Sequence, residues 1–523
     1  MSELDWDALL APADTEREML RHYQLSPEDL DLIRSKRTDT TQLRFALLML
    51  YCRYPGRVLG PDEVPAPQLV AFIGRQLGVT PTAFGAGAYR DETRREHLAE
   101  LMSLFDLQRF TQQAMQDLTS RLTPTAQIDP LPRRLALHAI DDLRQRRVML
   151  PPARVLEVAL RRARVRAEWI TEEAMTSYLS MEQRDALDQL LRRRKTDRLT
   201  TLSWLKHASQ SPAARNILFL IDRLHAVRRI GIDRALRTAV PGPAFDRLAD
   251  EGLRMTPQHL GQLAAGRRHA VLAATAVRLE QELTDATLSM ADKLMGSLAR
   301  KAERRTERKV MLSIRDLQAH VKAFAVVGNA VIAARNEQRD PIIAIEHEMG
   351  WQRFVRHVSQ AATLVRPDVT DSKVELLGKY ATVRSFAPAF LNAFAFQGSR
   401  SSASLLEPLG ILREIWQTRR RGLPDTAPTG FIRRSWRSFV LPNGKIDRRP
   451  YELCVLSELR DRLRAGDIWV EGSQHYQSFD NALIPRPSFD LMKANGPLPI
   501  AVSSLWEHIW RTVRCCSTAS SPW

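Results

Sequence analysis

The sequence predicts a mainly α-helical protein built from several domains. Apolar residues recur at three- and four-residue spacing along most of the 523 residues, and alternating strand patterns are scarce. Serine, threonine, proline and glycine punctuate the chain where helices would start and stop. At about 100–200 residues per domain, the length asks for three or four domains. The composition, 44% hydrophobic and 26% charged, is that of an ordinary globular protein. No run approaches about 18 uncharged apolar residues, and the N-terminus MSELDWDALL is acidic without an apolar signal core, so neither a membrane span nor secretion is expected. Cys52, Cys454, Cys515 and Cys516 are too few and too scattered for a disulfide framework or a zinc site, and a reducing cytoplasm is the expected setting.

The first helix starts at Ser26-Pro27-Glu28-Asp29: serine caps, proline is pre-set for the first helical position, and the acids favour the positive helix end. It is expected to run to about Lys36 and Arg37. Thr38-Asp39-Thr40 caps a second, strongly apolar helix through Leu43, Phe45, Leu47, Leu48 and Tyr51, which Pro55-Gly56 stops. After the proline-rich connector 60–67, a third helix carries Leu69, Val70, Phe72 and Ile73 and ends at Leu77-Gly78, with glycine as left-handed cap. Val79-Thr80-Pro81 is expected to open another short helix, which gives the run LVAFIGRQLGVTPTAF the spacing of a helix-turn-helix. Any αα-hairpin with a glycine turn has the same spacing. Tyr89-Arg90 and Arg94-Arg95 follow on its flank.

Prolines mark a boundary at 122–132, and Pro151-Pro152 divides two further helices. Residues 200–230 predict two helices joined at Ser211-Pro212, with Leu218, Leu220, Ile221 and Leu224 in the core. From Arg267 to Lys309 hardly a breaker interrupts a long amphipathic pattern, which predicts an extended helix or a helical pair. Residues 313–422 remain helical, with small residues in FAVVGNAVIAA and NAFAFQG that suit close helix packing. Beyond the loop 423–429 the pattern becomes mixed: a turn at Pro442-Asn443-Gly444, a helix from Tyr451 to Leu463, and a short extended piece at Ile468-Trp469-Val470.

Charge bears most directly on partners. There are 77 Lys plus Arg against 60 Asp plus Glu, a net charge of +17. Such an excess attracts a polyanion. Only 11 of the basic residues are lysines and 66 are arginines, whose planar fork suits phosphates and guanine edges. A GC-rich coding bias accounts for arginine over lysine but not for the net charge. The surplus is concentrated in residues 131–200, with 16 basic against 10 acidic side chains, including Arg161, Arg162 and Arg192-Arg193-Arg194-Lys195.

No catalytic pattern stands out. There is neither a Walker-type phosphate loop nor a G-x-S-x-G elbow. His347-Glu348 begins like a zincin helix, but Trp351 occupies the place of the second histidine. Asp141-Asp142 lies among Arg144, Arg146 and Arg147, where intrahelical salt bridges account for it. Asp467 and Glu471 would converge only on a helix, and Ile468-Trp469-Val470 predicts an extended segment.

Several of these segments together resemble the N-terminal part of Tn3-family replicative transposases. Leu25–Leu30 with Ile33, Gln42–Ala46 with the Arg53-Tyr54-Pro55-Gly56-Arg57 run, and Ile73–Gly78 carry the resemblance in the first module. Leu199–Leu205, Arg215–Arg229, Leu260–His269 and Arg448–Glu471 extend it over nearly the whole chain. The resemblance implies helix-turn-helix-like N-terminal modules that bind double-stranded DNA at the transposon's terminal inverted repeats. It further implies a helical dimerisation and linker region, and a Mg²⁺-dependent Asp-Asp-Glu catalytic domain nearer the C-terminus. The expected organisation is a DNA-binding domain at 1–125 and a second, arginine-rich one at 133–310. A dimerisation and linker region at 311–422, a mixed segment at 430–507 and an aberrant tail at 508–523 follow. The expected DNA contacts are Arg37, Arg44, Arg53, Arg57, Arg90 and Arg94 in the first module, and Arg161, Arg162, Arg192, Arg193 and Arg194 in the second. The departing tail, with its paired Cys515-Cys516, leads to the expectation of a truncated chain that binds DNA, has no metal or cofactor and no catalytic residue, and is not an enzyme. Such a chain would form a homodimer or a mixed dimer with intact transposase and would associate with the bacterial nucleoid. An intact strand transferase and a non-enzymatic helical interaction protein are the alternatives.

Overall fold

The computed structural model describes residues 3–478, except 86–89, 197, 208–210, 365–370, 419, 421 and 425. The expected aberrant tail and Tyr89 lie outside the described residues. Helices dominate, and the only sheet among the described residues has two short strands. The chain divides into two compact units: residues 1–202 with 232–277, and residues 203–231 with 278–523.

The first unit contains two cores. In the first, helix Pro27–Arg34 begins with a reciprocal cap: Ser26 Oγ accepts from Asp29 N at 3.2 Å while Asp29 Oδ2 accepts from Ser26 N at 2.9 Å. Thr38 caps helix Asp39–Arg53 in the same way. That helix is apolar on all sides from Phe45 to Cys52, so it is buried as a central strut. Helix Pro67–Leu77 packs Leu69, Val70, Phe72 and Ile73 into the same core and ends at Gly78, whose φ of 73° is the left-handed cap.

The helix expected after Val79 is a single 3-10 turn, Pro81–Gly85, followed by helix Asp91–Leu104. Gly85 and Gly87 supply no helix propensity to extend it. The 79–81 backbone also sits directly on the preceding helix, where a Cβ at Gly74 would lie 2.7 Å from the Val79 carbonyl. The local geometry is therefore helix, turn and 3-10 turn, not two α-helices about a turn.

The second core joins helices Gln112–Ile128, Pro132–Gln145 and Ala153–Ser177 through Leu118, Leu122, Leu135, Leu143, Leu156 and Leu160. The N-terminal helix contributes Trp6 and Leu10 to it, and Trp6 Nε1 donates to Glu157 at 2.7 Å. The proline boundary expected from residue 122 is displaced. Pro124 lies inside helix Gln112–Ile128, because burial of Leu118, Leu122 and Ala126 outweighs the one lost backbone hydrogen bond. Farther along, helix Gly242–Arg254 approaches the start of helix Ala265–Asn336 so closely that a Cβ on Gly252 would lie 1.8 Å from Thr275 Oγ1.

Helix Ala265–Asn336 has 72 residues, about 108 Å at 1.5 Å per residue. By length and composition alone it would suffice to cross a membrane, a test that the core helix of a soluble protein also passes. Its residues from Arg278 onward belong to the second unit. There, helix Ala214–Arg228 packs with helix Tyr380–Ala393, and helix Arg448–Ala465 is buried along Tyr451, Leu453, Cys454 and Val455. Ile468–Val470 is extended, as expected. It pairs antiparallel with Phe396–Gly398, a stretch that small-residue helix packing did not anticipate. Phe396 packs tilted against Phe390 and edge-on to Phe394, so aromatic packing holds it out of the preceding helix.

Candidate nucleic-acid interface

The Arg53-Tyr54-Pro55-Gly56-Arg57 run forms a turn to which both cores of the first unit are tied. Gly56 has a φ of 94°, a conformation that favours glycine. Three carbonyls of the turn are bound from other segments, Tyr54 by the Tyr23 hydroxyl at 3.0 Å, Pro55 by Arg144 Nε at 2.9 Å and Gly56 by Leu150 N at 2.9 Å, and Arg57 Nε in turn donates to the Leu10 carbonyl at 3.2 Å. Both arginines of the run use their forks internally. Arg53 grips Asp29 with both terminal nitrogens, one at 2.7 Å to Oδ2, and lies 4.9 Å from the Phe105 ring centroid. Arg57 grips Glu63 at 2.6 and 2.5 Å and lies over Tyr51.

Burial pushes the Asp29 carboxyl up, but hydrogen bonds from Arg53 and Ser26, together with the Arg53 charge, hold it below the usual carboxylate range. Glu63 is held low in the same way, burial being outweighed by Arg57 and the Gly60 amide. Arg44 donates to the Phe84 carbonyl at 3.2 and 2.9 Å, and Arg94 donates to the Leu59 carbonyl at 2.5 Å. Arg37 and Arg90 are exposed, Arg90 at the N-terminus of helix Asp91–Leu104.

Helix Ala153–Ser177 presents a different arrangement. At about 100° per residue, Leu156, Leu160, Ala163 and Ala167 form its buried side, and Arg154, Arg161, Arg162 and Arg166 point away from the core. All four are exposed, and Arg166 Nη1 donates to the Ser120 hydroxyl at 3.4 Å. The one acid between Arg154 and Arg166 is Glu157, which already accepts the Trp6 indole N–H. Arg192 and Arg193 are exposed and Arg194 is half-buried; the backbones of Arg192 and Arg194 bond to Thr201 N and Leu199 O, which shapes them as a turn. Arg154 and Arg166 were not among the expected contacts, although a helical wheel of 153–177 places them with Arg161 and Arg162.

The acidic pairs have structural partners. Asp142 takes Arg121 of the neighbouring helix at 2.9 Å as well as Arg146 one turn on at 3.5 Å, so its salt bridging is only partly intrahelical. Asp467 pairs with Arg462 at 3.0 Å. Among the described residues no three His, Cys, Asp or Glu side chains converge as a metal site, so the Asp-Asp-Glu centre implied by the resemblance fits none of them and no step is derived through a metal.

The basic side chains of the first unit thus divide into arginines bonded within the fold and an exposed arginine face on helix Ala153–Ser177. A family model described as a domain of unknown function (DUF4158) matches residues 1–163. The transposase for transposon Tn3926 of Escherichia coli is 33% identical over 504 residues, 96% of this chain and 51% of that protein. The transposase for transposon Tn21 of Escherichia coli is 33% identical over 97% of this chain and 51% of its own length. The transposase for transposon Tn501 of Pseudomonas aeruginosa is 32% identical over 96% and 51%. The chain is similar over nearly its full length to these transposases and spans about half the length of the curated relatives it matches. The expectation of a non-enzymatic fragment is thereby corrected: the proteins matched along 96% of the chain are transposases, which are enzymes. That expectation rested on where the sequence stops, and an end point carries no information about activity.

Proposed function

We propose that this chain recognises duplex DNA at the terminal inverted repeats of its transposon, and that the first unit carries the recognition. The observation that supports it most is the match to transposases along nearly the full chain. The free arginines supply the physical means: Arg37, Arg90, Arg161, Arg162, Arg192 and Arg193 would meet phosphates and base edges. Arg44, Arg53, Arg57 and Arg94, already bound internally, would hold the shape that presents them. In this proposal the DNA-facing modules lie within 1–125 and 133–310, and residues 311–422 contribute to a homodimer. No metal is assigned to any described residue, and the protein works at the nucleoid.

The test is binding of the full chain to a duplex carrying the terminal repeat and to a shuffled duplex, at increasing salt. Affinity should fall steeply with salt for both and remain at least about 10³-fold tighter for the repeat, the lower end for specific recognition. Binding without salt dependence and without preference would overturn the proposal in favour of a helical interaction protein.

A further inference from the structure

The exposed face of helix Ala153–Ser177 is not only basic. Val165 is 60% exposed and Trp169 61% exposed, and Val158 lies one to two turns before Val165 on the same side. Spacings of seven and four residues line up Val158, Val165 and Trp169 along the helix, with Arg154, Arg161 and Arg162 on either side of the line. From Val158 to Trp169 the stripe spans about 16.5 Å at 1.5 Å per residue. Leaving an indole and an isopropyl group in water is unfavourable, and a stripe of this kind signals a partner surface. Flanking guanidinium groups choose among partners. They would repel a like surface and a neutral apolar groove would leave them unpaired, whereas the DNA major groove offers apolar thymine methyls between two rows of phosphates, in a channel about 12 Å wide that accepts a helix. Apart from Glu157, which takes the Trp6 indole N–H, the acids of the helix respect that division: Glu168 and Glu172–Glu173 come at or beyond the Trp169 turn, and Glu172 is held by Arg267 at 3.2 Å.

We infer that helix Ala153–Ser177 is the base-reading helix of the first unit, in place of the expected helix-turn-helix at 67–85. Val158 and Val165 meet thymine methyls, Arg161 and Arg162 bind phosphate or guanine edges on either side, and Trp169 closes against the sugar edge where the acids begin. This assignment rests on the proposal that the first unit binds DNA.

The test uses the full chain and a duplex that the wild-type protein selects from a randomised library, together with its shuffled counterpart and a version with uracil in place of thymine. V165A and W169A, each checked for unchanged helicity, should lose about tenfold of the preference for the selected duplex. Both should keep wild-type affinity for the shuffled one. Uracil substitution should weaken wild-type binding severalfold and leave V165A unaffected. R161A/R162A should weaken binding to every duplex and reduce the salt slope by about 1.8, at roughly 0.9 per phosphate. If the wild-type chain selects a duplex but V165A and W169A keep its full preference, or change only self-association, this helix is not the reader and the broader proposal stands. If the wild-type chain binds no duplex in a salt-dependent way, both fall.

Discussion

The arginines of the turn at 53–57 and those of helix Ala153–Ser177 are chemically identical and do opposite work. In the turn, each guanidinium has a carboxylate to grip and an aromatic face to lie on: Arg53 with Asp29 and Phe105, Arg57 with Glu63 and Tyr51. On the helix, Arg154, Arg161 and Arg162 are exposed, and the one acid among them, Glu157, already accepts the Trp6 indole N–H. A basic residue in a DNA-acting protein is thus a poor guide to contact until its partners are counted. The run that most strongly suggests the relatives is a scaffold, and the plainer helix beyond it keeps its charge available.

The largest effect expected from breaking this contrast is on stability. D29A removes the Asp29 half of the reciprocal cap of helix Pro27–Arg34 and the Arg53 fork, and should destabilise the 13–105 core by about 3 kcal/mol, measured by hydrogen exchange of the Asp39–Arg53 amides. R57A, which frees Glu63 and the Leu10 carbonyl, should cost about 2 kcal/mol in the same measurement. The Asp29 carboxyl is held below its usual range in the folded protein, so its contribution is complete above the unfolded carboxylate value of about 3.9 and is lost as pH falls through the lowered folded value. D29N should therefore flatten the acid limb of that exchange profile; an unchanged limb would mean the clamp contributes nothing. The smallest stability effect belongs to R161A/R162A, within about 0.5 kcal/mol as for other exposed positions, with the loss appearing in DNA affinity instead.

Much of the helical framework was legible because its signals are local. Ser26 and Thr38 name their helices by capping, Gly78 by its left-handed cap, and the unbroken pattern from Arg267 announced a helix that in fact runs to Asn336. The misreadings occur where packing over long range decides. Pro124 stays in a helix because Leu118 and Leu122 are buried against another helix. Phe396–Gly398 is a strand because Ile468–Val470, some seventy residues later, pairs with it. For the candidate interface, sequence could place arginines in a basic region but not tell a clamp from a free fork, since the partners of Arg53, Arg94 and Arg44 lie 24, 35 and 40 residues away. The exposed Trp169 could have been found on a helical wheel, had aromatic residues been weighed beside the charges.

The most direct test of the contrast is the salt dependence of terminal-repeat binding for three full-length proteins: wild type, R161A/R162A and R94A, the last removing an arginine bound internally to the Leu59 carbonyl. The slope of log affinity against log salt should become shallower by about 1.8 in R161A/R162A and stay at the wild-type value in R94A. Equal slopes in wild type and R161A/R162A, or a loss of slope in R94A alone, would contradict the division between clamping and contacting arginines.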